Sequence, residues 1–528
     1  MWGWFRIADM ATTRSEAATP GRVLRALAGF VSAAVALAIG HLVAALFNPA
    51  ASPVVVVGSQ LVDLSPTPVK EVAVRYLGTA DKPVLIGAVA VVVLIVGALL
   101  GLIAWNRPRV AVVGVATLGL VGAVVALLRP GFGVSDAVPS LVASIVGVAT
   151  LKTLVWLYRG DATTPATLDS RPRGMSRRHL MLATAAGAAV AALSVGGAVV
   201  IDRVKKAGAA AARRLGLPTP ASPATPIPAG AQVPGNTPFT TSIDDFYRVD
   251  IALTTPSYSA EDWSLTLDGE VENPMTITYD ELMAMPMIER DITLTCVSNE
   301  VGGSYVGTAR WMGVPFSDLL PKLGVKPGVD QLFSYSMDSG YTCSTPFQAV
   351  SDGRDAMIVV GMNGEILPNK NGFPARMLVP GLFGFVSATK WLNRIEFTTY
   401  DKKQAYWTER DWATDAPILT AARIDVPASL STLPIDKPVL AGVAWAQNRG
   451  IEKVEIRIDG GEWTETTLAD DAGIDLWRQW SHVYDGPAGG HTAEVRATDL
   501  DGNTQPEQRR PVFPAGATGW HLIRFNSE

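Results

Sequence analysis

Asp291-Ile292-Thr293-Leu294-Thr295-Cys296-Val297-Ser298-Asn299 alternates polar and apolar residues up to a cysteine and then breaks. Alternation of this kind predicts a strand, and Gly302-Gly303 just beyond it predict a loop. The strand end therefore presents one thiol. Cys296 is one of only 2 cysteines in 528 residues, so no disulfide framework holds this chain together. Three readings of the thiol remain: a ligand for a soft metal, a disulfide with Cys343, and an inert buried side chain. Downstream come Gly372-Phe373-Pro374-Ala375-Arg376, Gly381-Leu382-Phe383-Gly384 and Lys390-Trp391-Leu392. Farther on stand Ala444-Trp445, Asp459-Gly460-Gly461-Glu462-Trp463, Trp477-Arg478-Gln479-Trp480 and Arg496-Ala497-Thr498-Asp499.

In this order and spacing, and with Phe246-Tyr247-Arg248 upstream, these strings resemble the sulfite oxidase family of mononuclear molybdenum enzymes over about Phe246–Phe525. The resemblance implies a molybdenum-molybdopterin cofactor, with Cys296 as the one protein bond to the metal. It implies Arg376, Lys390, Asn363 and Asn299 as cofactor-binding residues, and Arg248 as a catalytic residue facing substrate. A phosphate-bearing pterin suits this set, because anions want Arg, Lys and free backbone N–H groups. The ordinary alternatives are a surface ion pair for Arg376 and a solvated lysine at 390. Against the sulfite-oxidising pattern, Glu300-Val301 stand where an arginine is expected after the cysteine. Val360 replaces a tyrosine before Met362-Asn363-Gly364, and Phe513 lies where a late arginine is expected. Fewer cations and an added carboxylate disfavour a dianionic substrate.

Apolar residues make up 48% of the chain, concentrated before residue 202. Five segments, Val23–Phe47, Val84–Ala104, Val110–Leu128, Ala137–Tyr158 and Leu180–Ile201, each have about the 20 residues a membrane helix needs. Arg6, Arg14, Arg22, Arg25, Arg107, Arg109, Arg171, Arg173, Arg177 and Arg178 fall on one side if the N-terminus is cytoplasmic. Arg203, Lys205, Lys206, Arg213 and Arg214 oppose that assignment for the last span. Ser176-Arg177-Arg178-His179-Leu180 resembles a twin-arginine export signal, which favours a multi-pass cell-membrane protein with an extracytoplasmic catalytic domain. His41 is the one histidine within these spans, which excludes a self-contained bis-histidine haem, and no Cys-x-x-Cys-His motif is present.

The expected organisation is a transmembrane region of five helices (1–202), a Pro/Ala-rich linker (203–238), an α+β molybdopterin domain (239–415) and a C-terminal immunoglobulin-like β-sandwich (416–528). Trp263–Gly269 reads as a strand, Thr278-Tyr279-Asp280-Glu281 and Pro315-Phe316 as helix starts, and Val454–Ile458 with Asp459-Gly460 as a strand entering a hairpin. Trp445, Trp463, Trp477 and Trp480 read as core and domain-interface residues.

The function expected is oxygen-atom or two-electron transfer on a small S- or N-oxygenated molecule. Electrons pass to or from a separate quinone- or cytochrome-linked protein. The alternatives are a methionine sulfoxide repair enzyme and a cofactor-free binding or sensory module. A net charge of −5 gives no reason to expect nucleic acid as a partner.

Overall fold

The computed structural model describes residues 21–65, 69, 81–129, 133–159, 177–213, 216–253, 255–338, 340–434, 436 and 438–528. Arg6, Arg14, Arg171, Arg173 and Ser176, and the side chains of Arg177 and Arg178, lie outside the described residues. The chain divides into two compact units, Met1–Asp202 and Arg203–Glu528.

The first unit is helical: α1 (Arg22–Leu46), α2 (Pro53–Leu64), α3 (Asp81–Ala104), α4 (Pro108–Leu128), α5 (Val138–Arg159) and the start of α6 (Arg177–Arg213). Among the described residues five helical stretches are long and apolar enough to cross a membrane: Arg22–Leu46, Lys82–Ala104, Pro108–Leu128, Val134–Leu157 and Leu182–Ile201. They agree with the five expected segments to within about three residues. Large apolar side chains, among them Val92, Ile95, Leu120, Ile145 and Leu193, project outward from them. Helix α2 is an additional short apolar helix outside the five expected segments. Helices α1 and α3 meet backbone to backbone. A Cβ placed on Gly29 would collide with Gly97 and Gly101, whose one-turn spacing forms a small-xxx-small surface.

The second unit begins with a chain that is folded rather than free. Helix α6 runs on to Arg213, well past the expected boundary. Residues 216–238 then lie against the unit instead of forming a spacer. Ser222 bridges Ile288, with Ala221 N donating to Met287 O and Glu289 N donating to Ser222 O. Asn236 Nδ2 donates to Gly442 O, and Thr237 Oγ1 donates to Asp425. Extended, proline-rich backbone has unpaired N–H and C=O groups, and here strand edges and side chains take them up.

Two sheets frame the α+β part. One has the order β2 (Met275–Thr278), β1 (Ser264–Gly269), β10 (Leu392–Thr398), β5 (Gln331–Ser336), β6 (Thr342–Pro346). The other runs β3 (Ile288–Thr295), β4 (Val306–Pro315), β7 (Met357–Met362), β8 (Glu365–Ile366), with β9 (Arg376–Leu378) also on β7. Both expected helices form. Thr278 and Glu281 make a reciprocal capping box for α7 (Tyr279–Ala284), and α8 (Phe316–Leu323) ends at Gly324 with φ +61°.

The C-terminal part has a four-stranded sheet, β11 (Ala421–Val426), β13 (Val439–Trp445), β17 (Arg478–Val483), β16 (Thr467–Leu468). Against it lies a five-stranded sheet, β12 (Thr432–Leu433), β19 (His521–Ser527), β18 (Gly489–Asp499), β14 (Ile451–Ile458), β15 (Thr464–Glu465). Ile424, Leu440 and Trp480 of the first sheet share one core with Val454, Val495 and Phe525 of the second. Asp459 and Gly460 both have positive φ at the β14–β15 turn, as a tight hairpin requires. The α+β part and this sandwich belong to one compact unit, because Val443, Trp445, Leu476 and Trp477 enter the core of the former. Trp445, Trp477 and Trp480 are buried as expected. Trp463 departs from that expectation. It lies half-buried against Trp520, with the Arg457 and Arg496 guanidiniums over its ring.

Candidate active site

Strand β3 ends at Thr295, and Cys296 is the first residue beyond it. The backbone turns at once: Cys296 N donates to Tyr305 O (2.9 Å), and Asn299 N donates to Cys296 O (3.0 Å). Ser298 N points at Cys296 Sγ (3.4 Å). The Asn299 carboxamide oxygen accepts from Tyr305 N (2.8 Å), so this buried side chain closes the loop that carries the thiol. Gly302 has φ +79°, and a Cβ there would collide with the His521 imidazole. Cys296 is buried, and burial pushes its thiol pKa up, opposed by the Ser298 hydrogen bond and the Lys390 charge. Cys343 is a second, fully buried free cysteine, so the disulfide reading of Cys296 is excluded.

The loop is held from the sandwich side. Gln447 Nε2 donates to Thr293 O and Thr295 Oγ1, both at 3.1 Å. Thr293 N donates to Asp475 O, and Trp477 N donates to Thr293 Oγ1. Arg423 Nη1 donates to Gly303 O (2.7 Å), and His521 Nδ1 accepts from Ile424 N (3.0 Å). Four sandwich residues, Gln447, Asp475, Trp477 and Arg423, thus hold the chain on both sides of Cys296.

A group of cations gathers nearby. Arg376 starts β9 and is only 4% exposed. Its guanidinium lies 5.1 Å from the Trp311 ring centroid and donates through Nη1 to Asn371 O (3.1 Å). Gly372, at φ +118°, has room for no side chain, because a Cβ would press on Arg376 Cβ and Lys390 Cα at 3.1 Å. Lys390 Nζ pairs with Asp250 at 3.1 Å, and Arg248 Nε pairs with the same carboxylate at 2.9 Å. Burial lowers the Lys390 pKa to about 8, Asp250 opposing and Arg376 adding to the fall. Burial likewise lowers Arg376 to about 10. Tyr247, beside Arg248 in sequence, is pushed up by burial and by the Cys296 charge, with Arg376 opposing.

Arg248 and Lys390 share the Asp250 carboxylate, and Arg376, whose charge is felt at Lys390, has no ion pair among the described residues, so positive charge is in surplus in a poorly solvated place. Arg376 Nε, Asn371 Oδ1 and Asn369 Oδ1 are buried with no hydrogen-bond partner. Buried donors, acceptors and charges are costly without partners. An anion joined to a polar ring would satisfy all of them, so the residues fit a phosphate-bearing pterin. Among the described residues no group of three or more His, Cys, Asp or Glu is arranged to hold a metal ion. A metal here would take one thiolate from the protein and the rest of its donors from a cofactor.

Residues 252–407 match the family described as the oxidoreductase molybdopterin binding domain. This region is an oxidoreductase molybdopterin-binding domain. Cys296, Asn299, Asn363, Arg376 and Lys390 lie inside the molybdopterin-binding match, and Arg248 just ahead of it. The chain is 29% identical to the NADH nitrate reductase of Solanum lycopersicum over 318 residues, covering 48% of this chain and 35% of that protein. It is 25% identical to the mitochondrial sulfite oxidase of Mus musculus over 302 residues, covering 47% and 54%. With the sulfite oxidase of Arabidopsis thaliana the identity is 25%, covering 54% and 88%. The chain thus spans about a third and about half of the first two relatives. Among solved structures, the sulfane dehydrogenase SoxCD from Paracoccus pantotrophus aligns with TM-score 0.44 and 23% identity, covering 52% of this chain and 80% of that one.

The expected residues of the molybdopterin-binding domain do not all converge. Arg248, Arg376 and Lys390 form one electrostatic group with Cys296. Asn363 is placed differently. With Gly364 it makes the positive-φ turn between β7 and β8. Its Oδ1 accepts from Arg310 N and its Nδ2 donates to Thr241 O, both at 2.9 Å, so both ends of the carboxamide are engaged by backbone. The residues not anticipated are Asp250, Tyr247, Asn371, Gln447 and Arg423. The first two stand next to or two beyond Arg248, and Asn371 directly precedes Gly372-Phe373-Pro374, so those three had a local signal. Gln447 and Arg423 lie more than 100 residues from Cys296 and had none.

Proposed function

We propose that this chain is a membrane-anchored molybdenum oxidoreductase with its catalytic domain outside the cytoplasmic membrane. It transfers an oxygen atom, or two electrons, to or from a small S- or N-oxygenated substrate. The observation that carries this reading is the buried Cys296 thiol beside a buried surplus of cations, within a molybdopterin-binding domain. When bound, the cofactor supplies the two-electron redox change, and the protein supplies binding, orientation and electrostatics.

Cys296 is the metal's protein ligand, and Ser298 N–H steadies its sulfur as a thiolate. Arg376 and Lys390 hold the pterin's phosphate, and the unpartnered Asn369 and Asn371 oxygens accept from its ring N–H groups. Asn299 and Asn363 act through the backbone, closing the Cys296 loop and the β7–β8 turn. Arg248, the most exposed of the three cations, faces substrate. The five apolar stretches are the anchor, and the twin-arginine-like run at 176–178 suits export of a folded, cofactor-loaded domain. The sandwich is of the immunoglobulin-like type. A quinone- or cytochrome-linked protein exchanges the electrons.

Metal and pterin analysis of the purified full chain, beside Cys296→Ser, tests this. About one molybdenum per chain is expected, with the metal spectrum altered in the variant. Metal-free protein from cells competent to make the cofactor defeats the reading and favours a binding module.

A further inference from the structure

Between Gln232 and Thr241 the backbone forms a strap bonded to both the sandwich and the α+β part. Val233 N donates to Gln479 Oε1 and Gln479 Nε2 donates to Thr237 O, both at 2.7 Å. Trp477 Nε1 donates to Phe239 O (3.0 Å). Thr241 N donates to Thr308 O (2.8 Å), and Thr241 Oγ1 accepts from Thr308 N (3.2 Å). The strap thus takes up both backbone groups of Thr308. Asn363 Nδ2 donates to Thr241 O, so a residue expected to touch the cofactor instead pins the strap.

Thr241 is one residue away from the strand that carries the thiol. Thr308 and Gly307 pair across β3–β4 with Thr293 and Leu294, just before Cys296. The Thr293 and Thr308 hydroxyls bond each other, and Trp477 N donates to Thr293 Oγ1. Trp477 therefore holds the strap through its indole and the thiol strand through its backbone. A Cβ on Gly307 would press on Thr241 Oγ1 at 3.1 Å and on Phe246 at 3.2 Å, so glycine lets the strap close on the strand. Phe246 meets Trp311 edge to face at 5.6 Å, and the Arg376 guanidinium lies over that same indole at 5.1 Å. Tyr247 and Arg248 follow directly in sequence. A buried polar network with every member partnered fixes geometry, and one lost partner leaves a buried group unsatisfied. Reactive groups keep their places only as well as the shell behind them does. We propose that Thr241, with Trp477 behind it, is a positioning residue for the active site, and that the strap 232–241 sets the places of Cys296, Arg248 and Arg376 together. The segment that follows the last membrane-length helix is then a working part of the catalytic unit rather than a tether. The metal consequences rest on the oxidoreductase reading above.

The test uses the full chain in detergent, both loaded with cofactor and purified from cells unable to make it. Hydrogen–deuterium exchange is followed in the peptide 292–299, and the molybdenum electron-paramagnetic signal in the loaded protein. Thr241→Val keeps the side-chain shape and removes the hydroxyl. It is expected to speed exchange in 292–299 about tenfold and to broaden the metal signal. Gly307→Ala, which crowds the strap from the strand side, is expected to act in the same direction. Thr241→Ser restores the hydroxyl and is expected to match the wild type in both readings. Thr266→Val, which removes a threonine hydroxyl from the other sheet, is the control. Unchanged exchange and an unchanged metal signal in Thr241→Val and Gly307→Ala, with only a lower Tm, overturn the proposal. A Thr241→Ser variant as disturbed as Thr241→Val overturns the role of the hydroxyl. Wild-type protein without molybdenum overturns the oxidoreductase reading alone, because exchange in the cofactor-free chain still decides whether the strap holds the thiol strand.

Discussion

Lys390 carries a charge that folding buries. The burial that lowers its pKa to about 8 acts only in the folded chain, and an unfolded lysine titrates near 10.5. Between those values the unfolded state binds more protons than the folded one, so cofactor-free protein gains stability as pH rises from about 8 to 10.5. A bound phosphate would restore the lysine's charge and flatten that slope. Urea unfolding of cofactor-free wild type and of Lys390→Met across this window checks it. The slope should be steeper in the wild type, and equal slopes would mean that Lys390 is well solvated. Arg376 offers a weaker handle, because burial brings its pKa only to about 10, at the top of that window. Its buried Nε without a partner is instead a fixed requirement for an acceptor.

Among elements, the α1–α3 contact depends on the absence of side chains. Gly29, Gly97 and Gly101 let two backbones touch, and any larger residue forces the helices apart. Gly101→Leu is expected to destabilise the helical unit by about 1–3 kcal/mol, read as a lower Tm in detergent. The same substitution at Gly87, which has open space around it, serves as the control and should have little effect. The segment 216–238 is the other element whose role differs from its composition. Its prolines and alanines look like a spacer, yet Ser222, Asn236 and Thr237 tie it to β3, β13 and β11. It continues through Thr241, which bonds Thr308 and Asn363, to Tyr247 near Cys296.

Across the second unit, the sandwich acts as part of the scaffold of the active site. Arg423 links the Gly303 carbonyl, within the Cys296 loop, to Asp425, which Thr237 also binds. The Arg423 and Asp425 side chains are largely buried. Arg423→Ala leaves that carboxylate buried without its partner and should cost about 3 kcal/mol of stability. In the loaded enzyme it should also broaden the molybdenum electron-paramagnetic signal, because the ligand loop loses its tether. Arg423→Lys should recover part of the stability. A lower Tm with an unaltered metal signal would confine Arg423 to a structural role. His521 adds a pH limit here. Burial first, then the Arg423 charge, lowers its pKa to about 4, so the stability it contributes above pH 6.5 is lost as pH falls toward 4.

Much of this was open to reading in the sequence. Hydrophobic runs of membrane length, the alternation that ends at Cys296, the Thr278–Glu281 capping box and the Asp459-Gly460 turn are local, and local physics sets them. Cys296 and Arg376 stood out in the sequence because glycine- or proline-marked strings adjoin them, and Lys390 through the string Lys390-Trp391-Leu392. What tertiary structure alone decided is partnership. Asn363 and Asn299 look like ligand contacts in sequence, but their carboxamides are engaged by backbone groups that folding brings to them. Asp250 is shared by Arg248 and Lys390, although Lys390 lies 140 residues away. Gln447 and Arg423 reach the thiol loop only because two separately patterned β-regions share one core. A sequence records which groups are available. Desolvation and long-range pairing, which fix their charge and role, exist only once the chain has closed on itself.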